Sequence, residues 1–376
     1  MNVAVLGKVA ESQGVAYVIE NGYNVLLADN HAEPLNVVAY IAHGGDAFII
    51  GDKAVLNLEQ FAALYRKKVI EKVIFPRNVY IEQRQNLNYL RGLGVSIADI
   101  WIAQRLSDEI SLLNFLEQYL NAKYLPYLEF HIADHCNLNC KACSHYSGLV
   151  KEPRFSNLEK LTRDFERLHE FIDDLGMIRI LGGEPLLNPE VSEYVKLCRR
   201  LYPHAIICVV TNALLLQRMP EEFFETLREC TARIDISFYP PLESKMPAIR
   251  ELLTEKGVPL VVGPLVKNFM CMQTLKSHDY PREIFLQCLQ ANCHNLYEGK
   301  IAACFLPFTT KYFNAYYGKD LPEDGALDLY DETLTTPKLK AHLLTPFERC
   351  RYCTPPVDVE WRTIKNPSPI TDWVHD

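Results

Sequence analysis

Three cysteines, Cys136, Cys140 and Cys143, fall within eight residues of one another. Thiolates gathered on one loop are metal ligands by chemistry, and three of them suit three irons of a cubane cluster. No fourth cysteine lies nearby, so one iron would stay open to an outside ligand. An open position separates a catalytic metal centre from a structural one. Zinc is the alternative occupant, although zinc ribbons ordinarily use two CxxC pairs.

The bulk composition frames that loop. The chain has 376 residues, enough for two or three domains, with 48% hydrophobic and 23% charged residues in an ordinary globular balance. A net charge of -8 argues against a nucleic-acid partner held on a broad basic face. The opening residues MNVAVLGKVAESQG hold no charged leader, and Lys8 interrupts their apolar run. No apolar stretch reaches the ~18 residues that span a bilayer. The expectation is a cytoplasmic chain with no membrane partner. In a reducing compartment disulfides do not persist, so the twelve cysteines point to metal or redox chemistry.

Elements that could position the cysteines alternate between short apolar runs and longer amphipathic segments, the pattern of parallel α/β units. In residues 1–122, VAVLG (3–7), NVLLAD (24–29), AFII (47–50), KVIFP (72–76) and the run around Ile97–Ile102 read as strands. Helical spacing marks Lys8–Gly22, Leu58–Lys68 and Val79–Leu93. Asp29, closing the second of those strands, stands where a dinucleotide fold meets a ribose, but the glycine fingerprint is missing after Gly7. This part is expected to be Rossmann-like in outline and to serve as a docking or structural domain. Leu106–Tyr119 reads as a connecting helix.

A second series begins near residue 123. Its strands are LEFHIAD (128–134), MIRIL (177–181), AIICVVT (205–211), RIDISFY (233–239) and PLVVG (259–263). Helices over Asn157–Leu175, Pro189–Leu201, Pro220–Cys230 and Ser244–Lys256 lie between them. Four or five βα repeats suggest a partial or full barrel with its chemistry on the rim of strand C-termini. The cysteine loop follows the first of these strands. After about Met270 the repeat fades, and HNLYEGKIAACFLP (294–307) reads as a hairpin around Glu298-Gly299.

Gly182-Gly183-Glu184-Pro185 close the second strand of the series. With CxxxCxxC after the first strand and GGEP after the second, residues of roughly 126–310 resemble the radical S-adenosylmethionine (radical SAM) superfamily. The resemblance implies an α/β fold: a partial (β/α)6-type barrel over 123–285, preceded by the Rossmann-like domain. It implies a [4Fe–4S] cluster on Cys136, Cys140 and Cys143, with S-adenosylmethionine at the open iron. The backbone of Gly182 and Gly183 with Glu184 and Pro185 would hold its amino group, and Thr211, Asn212 and Ser237 would contact it from later strand ends. Each of those three has ordinary strand-end hydrogen bonding as its other reading. The residue before the last cysteine is often aromatic in this family and here is Ala142, which weakens a stacking contact with adenine. The implied chemistry is one-electron cleavage to methionine and a 5′-deoxyadenosyl radical that abstracts hydrogen from substrate, with flavodoxin or ferredoxin as electron donor.

The C-x10-G-x4-C run from Cys288 through Gly299 to Cys304, followed by Cys350-x-x-Cys353, resembles the twitch or SPASM-like auxiliary module of some family members. It implies a second, fully ligated [4Fe–4S] cluster within 286–376. Cys293 is the alternative to Cys288, and zinc in the same four thiolates is the alternative occupant. Cys198, Cys208, Cys230 and Cys271 lack partner spacing and read as buried small hydrophobes. His131, His135, His145 and Tyr146 flank the first loop as packing residues or substrate contacts.

A saturated second cluster favours net oxidation of substrate, as in the family's dehydrogenases, with epimerisation as another outcome. The substrate class expected is a carbohydrate or other small molecule. A peptide-modifying maturase and a non-catalytic metal-binding scaffold are the competing readings.

Overall fold

The computed structural model describes residues 1–29, 32–42, 48–50, 52–76, 81–104 and 115–375. The chain divides into two compact units. One comprises Met1–Pro126 with Thr336–Ala341, the other Tyr127–Thr335 with His342–Asp376.

In the first unit the order is β1 (Asn2–Leu6), α1 (Val9–Val18), α2 (Asn24–Asp29), β2 (Asn36–Ile41), β3 (Phe48–Ile50), β4 (Lys53–Leu56), α3 (Leu58–Arg66), β5 (Lys72–Pro76), α4 (Ile81–Gly92), β6 (Ile100–Ala103) and β7 (Leu116–Gln118). The sheet runs β3-β4-β2-β1-β5-β6-β7. Its five central strands are parallel, and β3 and β7 close the edges antiparallel. Strands covered on both faces read as continuous apolar runs, as Val3 to Leu6 do, each no more than 1% exposed. Strand order reverses at β1 and β5, as in a Rossmann-like sheet.

Two expectations fail here. NVLLAD is helix α2, not a strand. A π-helical turn at Ile19–Tyr23 carries the chain on from α1, and Leu27 packs onto the unit's core beside Val3, Val5 and Ile74. Short apolar runs suit either state, and Leu and Ala favour the helix when nothing breaks it. The second strand is Asn36–Ile41, so Asp29 ends a helix and its ribose-binding position is lost. Of the connecting helix expected over 106–119, residues 106–114 lie outside the described residues, and Leu116–Gln118 pair antiparallel with β6.

From β8 (Tyr124–Ala133) the chain alternates α5 (Leu158–Phe171), β9 (Asp174–Gly182), α6 (Val191–Leu201), β10 (Ile206–Thr211), α7 (Glu221–Glu229), β11 (Arg233–Ile236), α8 (Met246–Glu255) and β12 (Leu260–Val262). Then come β13 (Asn268–Gln273), α9 (Pro281–Gln287), β14 (Asn295–Tyr297), β15 (Lys300–Ala302), α10 (Leu306–Tyr317), β16 (Ala326–Asp328), α11 (Thr336–Leu343) and β17 (Cys353–Glu360). An eight-stranded open sheet runs β12-β11-β10-β9-β8-β14-β15-β16. The helices are amphipathic: α5 buries Leu161, Phe165, Leu168 and Phe171, one stripe at helical spacing. β8 is buried along its whole length. β13 and β17 form a separate antiparallel ribbon. Cys198, Cys208, Cys230 and Cys271 are all buried. No helix among the described residues is long and apolar enough to cross a membrane.

Candidate functional site

The C-terminal ends of β8, β9, β10 and β11 surround a cavity of ≈ 290 Å³. Cys136, Cys140 and Cys143 line it together with Gly182, Gly183 and Glu184. Thr211, Asn212 and Ser237 also face it, whereas Pro185 does not and starts a buried 3-10 turn instead.

The two glycines are needed for the protein's own packing. A Cβ on Gly182 would stand 2.0 Å from the Ala133 carbonyl oxygen, and one on Gly183 would stand 2.2 Å from that of His135. The same approach lets Gly183 N donate to Ala133 O (2.7 Å) and Glu184 N to His135 O (3.1 Å). GGEP thus fastens the end of β9 to the start of the cysteine loop.

Glu184 is 1% exposed. Its carboxylate accepts from Thr211 Oγ1 (2.7 Å), Asn212 N (2.9 Å) and Leu186 N (3.1 Å). Burial pushes its pKa up to about 7 against the pull of these donors. Asn212 Nδ2 in turn donates to Asn137 Oδ1 at 2.7 Å inside the loop, and Ser237 N donates to Thr211 O.

Residues near the C-terminal end of the sequence hold the loop's far side. Lys141 N donates to Arg362 O, Ile364 N to Asn139 O, and Ala142 N to Asp372 O, at 2.8–2.9 Å. Asn139 Nδ2 returns a bond to Ile364 O, and Lys141 lies 3.5 Å from the Asp372 carboxylate. This anchoring holds Ala142 at φ 56, a conformation that costs an L-residue about 1–2 kcal/mol. Tyr146, also at positive φ, is fully buried against Phe313 and Trp373.

Burial pushes the Cys136 thiol up to about 12 and raises Cys140 and Cys143 as well. Without a cation these sulfurs keep their protons, and a bound metal strips them. Three sulfurs on one wall of an open-sided cavity are a donor set that fits a cluster with one free iron. Among the described residues, no three His, Cys, Asp or Glu side chains converge closely enough to hold a single metal ion.

Of the flanking residues, His145 faces the cavity; its Nδ1–H donates to Gly182 O at 3.3 Å. Burial lowers its pKa to about 3, so it is neutral. His131 is buried 3.8 Å from Asp134, and His135 Nδ1 accepts from Arg154 N. The aromatic surface that Ala142 lacks comes from elsewhere: Tyr239 and Phe269 line the cavity, and Tyr239 stacks on Trp361 (5.6 Å, 12°). Tyr239 was legible only as the alternate-position partner of Ser237 in the RIDISFY run. Nothing in the sequence marks Phe269 or Trp361.

A second cavity of ≈ 20 Å³ is lined by Cys288, Cys304, Cys350 and Cys353. Phe285 and Phe347 close it with apolar surface. Cys293 is not on its wall; its Sγ lies 3.8 Å from Leu289 O. Burial pushes Cys350 up to about 12 and Cys353 up to about 11, and it raises Cys288 and Cys304 too. Met272 and Gln290 line both cavities.

Residues 130–252 match the Radical SAM superfamily model. The GTP 3′,8-cyclase of Petrotoga mobilis is 30% identical over 135 residues, 35% of this chain and 39% of that protein. The enzyme of that name from Heliobacterium modesticaldum is 33% identical over 104 residues, 27% of this chain and 31% of its own. The chain thus matches well under half the length of these curated relatives. A crystal structure of BtrN in complex with AdoMet and 2-DOIA aligns over 61% of this chain and 92% of its own, at 15% identity and a TM-score of 0.37. The three-cysteine loop, the GGEP strand end and the domain match together identify residues 130–252 as a radical SAM domain, the kind of domain that binds a [4Fe–4S] cluster and S-adenosylmethionine.

Proposed function

We propose that the chain is a radical SAM enzyme that abstracts a hydrogen atom from a small, uncharged, polar molecule of carbohydrate type and oxidises it. The wall of the larger cavity carries this reading. Cys136, Cys140, Cys143, Gly182, Gly183 and Glu184 occupy one region of it, and Ser144, His145, Ser147 and Gln290 add neutral hydrogen-bonding groups. Met270, Met272 and Leu289 supply apolar surface. Among the described residues that line it, Glu184 is the sole Asp, Glu, Lys or Arg. The triphosphate of the nucleotide in the relatives' name would need cations there, which turns the reading away from nucleotides.

The three cysteines would ligate three irons, leaving one for the amine and carboxylate of S-adenosylmethionine. When bound, the cluster supplies the electron that cleaves S-adenosylmethionine reductively. Glu184 is held by Thr211, Leu186 and Asn212 so that its carboxylate keeps one orientation toward the ammonium. Tyr239 offers a ring to the adenosyl group in place of the residue at 142. Neutral His145 and the serines accept or donate hydrogen bonds to substrate hydroxyls.

Residues 123–285 form the S-adenosylmethionine part of this scheme and 286–376 a twitch-like module. Cys288, Cys304, Cys350 and Cys353 would saturate a second cluster, leaving it no place for substrate and only an electron-carrying role. Residues 1–122 serve docking. A flavodoxin or ferredoxin would provide the reducing electron.

The test is anaerobic reconstitution with iron and sulfide, then dithionite and S-adenosylmethionine. 5′-Deoxyadenosine must form, and Cys136→Ala must abolish it while Cys350 and Cys353 still hold iron. A fully reconstituted protein that makes no 5′-deoxyadenosine overturns the reading.

A further inference from the structure

Residues 361–364 lie along the cysteine loop as a short antiparallel strap. Cys140 bridges to Thr363, with the bonds from Lys141 to Arg362 and from Ile364 to Asn139 on either side. Trp361 opens this strap. Its backbone N donates to Lys267 O at 2.8 Å, and its ring stacks on Tyr239, so both faces of its position are fixed. Its indole Nε1 is buried and makes no hydrogen bond within the protein as it stands. A buried N–H without an acceptor costs about 1–3 kcal/mol, so its direction calls for an explanation. The Cys140–Thr363 bridge brings the strap alongside Cys140, and Tyr239, on which the indole stacks, lines the same cavity as the Cys140 side chain.

We propose that Trp361 is a positioning residue for the cysteine centre, its indole N–H donating to the sulfur of Cys140 and setting the reduction potential of the iron held there. The inference rests on the cluster assignment proposed above and adds to it a donor from the far end of the sequence. Hydrogen bonds to ligand sulfurs stabilise the more negative, reduced cluster and so raise its potential. The same ring backs Tyr239, which couples the cluster ligand to one wall of the cavity.

The experiment is an EPR-monitored potentiometric titration of the reconstituted full chain. S-adenosylmethionine identifies the relevant cluster, because only the signal with an open iron changes on its addition. In Trp361→Phe, which keeps a ring and loses the donor, the midpoint of that signal is expected to move negative while the other signal stays. Trp361→His, which restores a ring N–H, moves it back. An unchanged or more positive midpoint in Trp361→Phe overturns the inference. A second readout needs no variant: with 15N-indole tryptophan incorporated, pulsed EPR of the reduced protein must show coupling to an indole nitrogen. Its absence also overturns the inference. If no S-adenosylmethionine-responsive cluster assembles in the wild-type chain, the underlying cluster assignment falls first, and that outcome is distinct from a responsive cluster whose potential ignores residue 361.

Discussion

Replacing Gly182 by alanine asks whether the paired glycines serve the chain's own packing. The new Cβ would lie 2.0 Å from the Ala133 oxygen and 3.0 Å from its carbonyl carbon. Both atoms belong to the backbone of β8, a strand buried throughout, so neither can yield without dragging the strand. Gly182 also sits at φ 154, outside the range alanine adopts readily. A strained φ costs about 1–3 kcal/mol and overpacking about 1–3 kcal/mol more. A central value of about 4 kcal/mol, at about 2–4 °C per kcal/mol for a domain of this size, lowers the melting temperature by about 8–16 °C. Gly257→Ala is the control: φ is 63 there, yet the nearest atom is the mobile Arg228 Cδ at 3.7 Å. Conformation alone should cost that variant about 1–2 kcal/mol. The assay is thermal unfolding of the apo-protein followed by circular dichroism, with both variants run beside the wild type. Because Ala133 leads into the cysteine loop, Gly182→Ala should also bind less iron. If it melts no lower than Gly257→Ala, the clash is relieved cheaply and the reasoning fails.

Three further outcomes are expected. Reconstituted wild-type protein should hold about eight irons per chain, and Cys136→Ala about four. The double variant Cys350→Ala, Cys353→Ala should hold about four as well; an unchanged iron content there removes the second cluster. Asp164, 2% exposed, has a pKa raised chiefly by burial, although Tyr330 O–H donates to it at 2.9 Å. A raised folded-state pKa gives stability that is present at low pH and is lost as pH rises from the ordinary carboxylate range through the folded value. Asp164→Asn should therefore gain stability relative to wild type as pH rises above the ordinary carboxylate range in urea titrations, and parallel curves would refute the assignment. Removing residues 361–376 should expose the 139–142 backbone and make that loop the first site of proteolysis, read by mass spectrometry of timed digests.

The chemistry was legible in the sequence because its ligands are close neighbours in the chain. Cys136, Cys140 and Cys143 lie on one loop, and GGEP marks one strand end. Strands β8 to β12 were readable for the same reason, since each is an apolar run bounded by turn residues and separated by an amphipathic helix. NVLLAD misled because six apolar-rich residues satisfy helix and strand alike, and a continuing helix from Val9 decided the matter. The glycines were read as backbone that would hold an amino group; that they also clear the carbonyls of Ala133 and His135 left no mark in the sequence. Long-range partners left no local trace. Asn139 bonds to Ile364 across 225 positions, and no spacing rule links Trp361 to Cys140.

The tether between that loop and residues 362–372 also sets an order of events in biosynthesis. The loop's backbone partners emerge from the ribosome some 230 residues after the cysteines do, which at about 5–20 residues per second is a delay on the order of 10–50 s. Throughout that interval the three thiols are present, but the frame that fixes their spacing is not. Iron delivered during synthesis would meet a pliable loop open to wrong metals and to oxidation. Faithful loading of this centre therefore belongs after residue 372 has been made and docked. A chain cut short before that residue should carry the complete cysteine signature and still fail to mature.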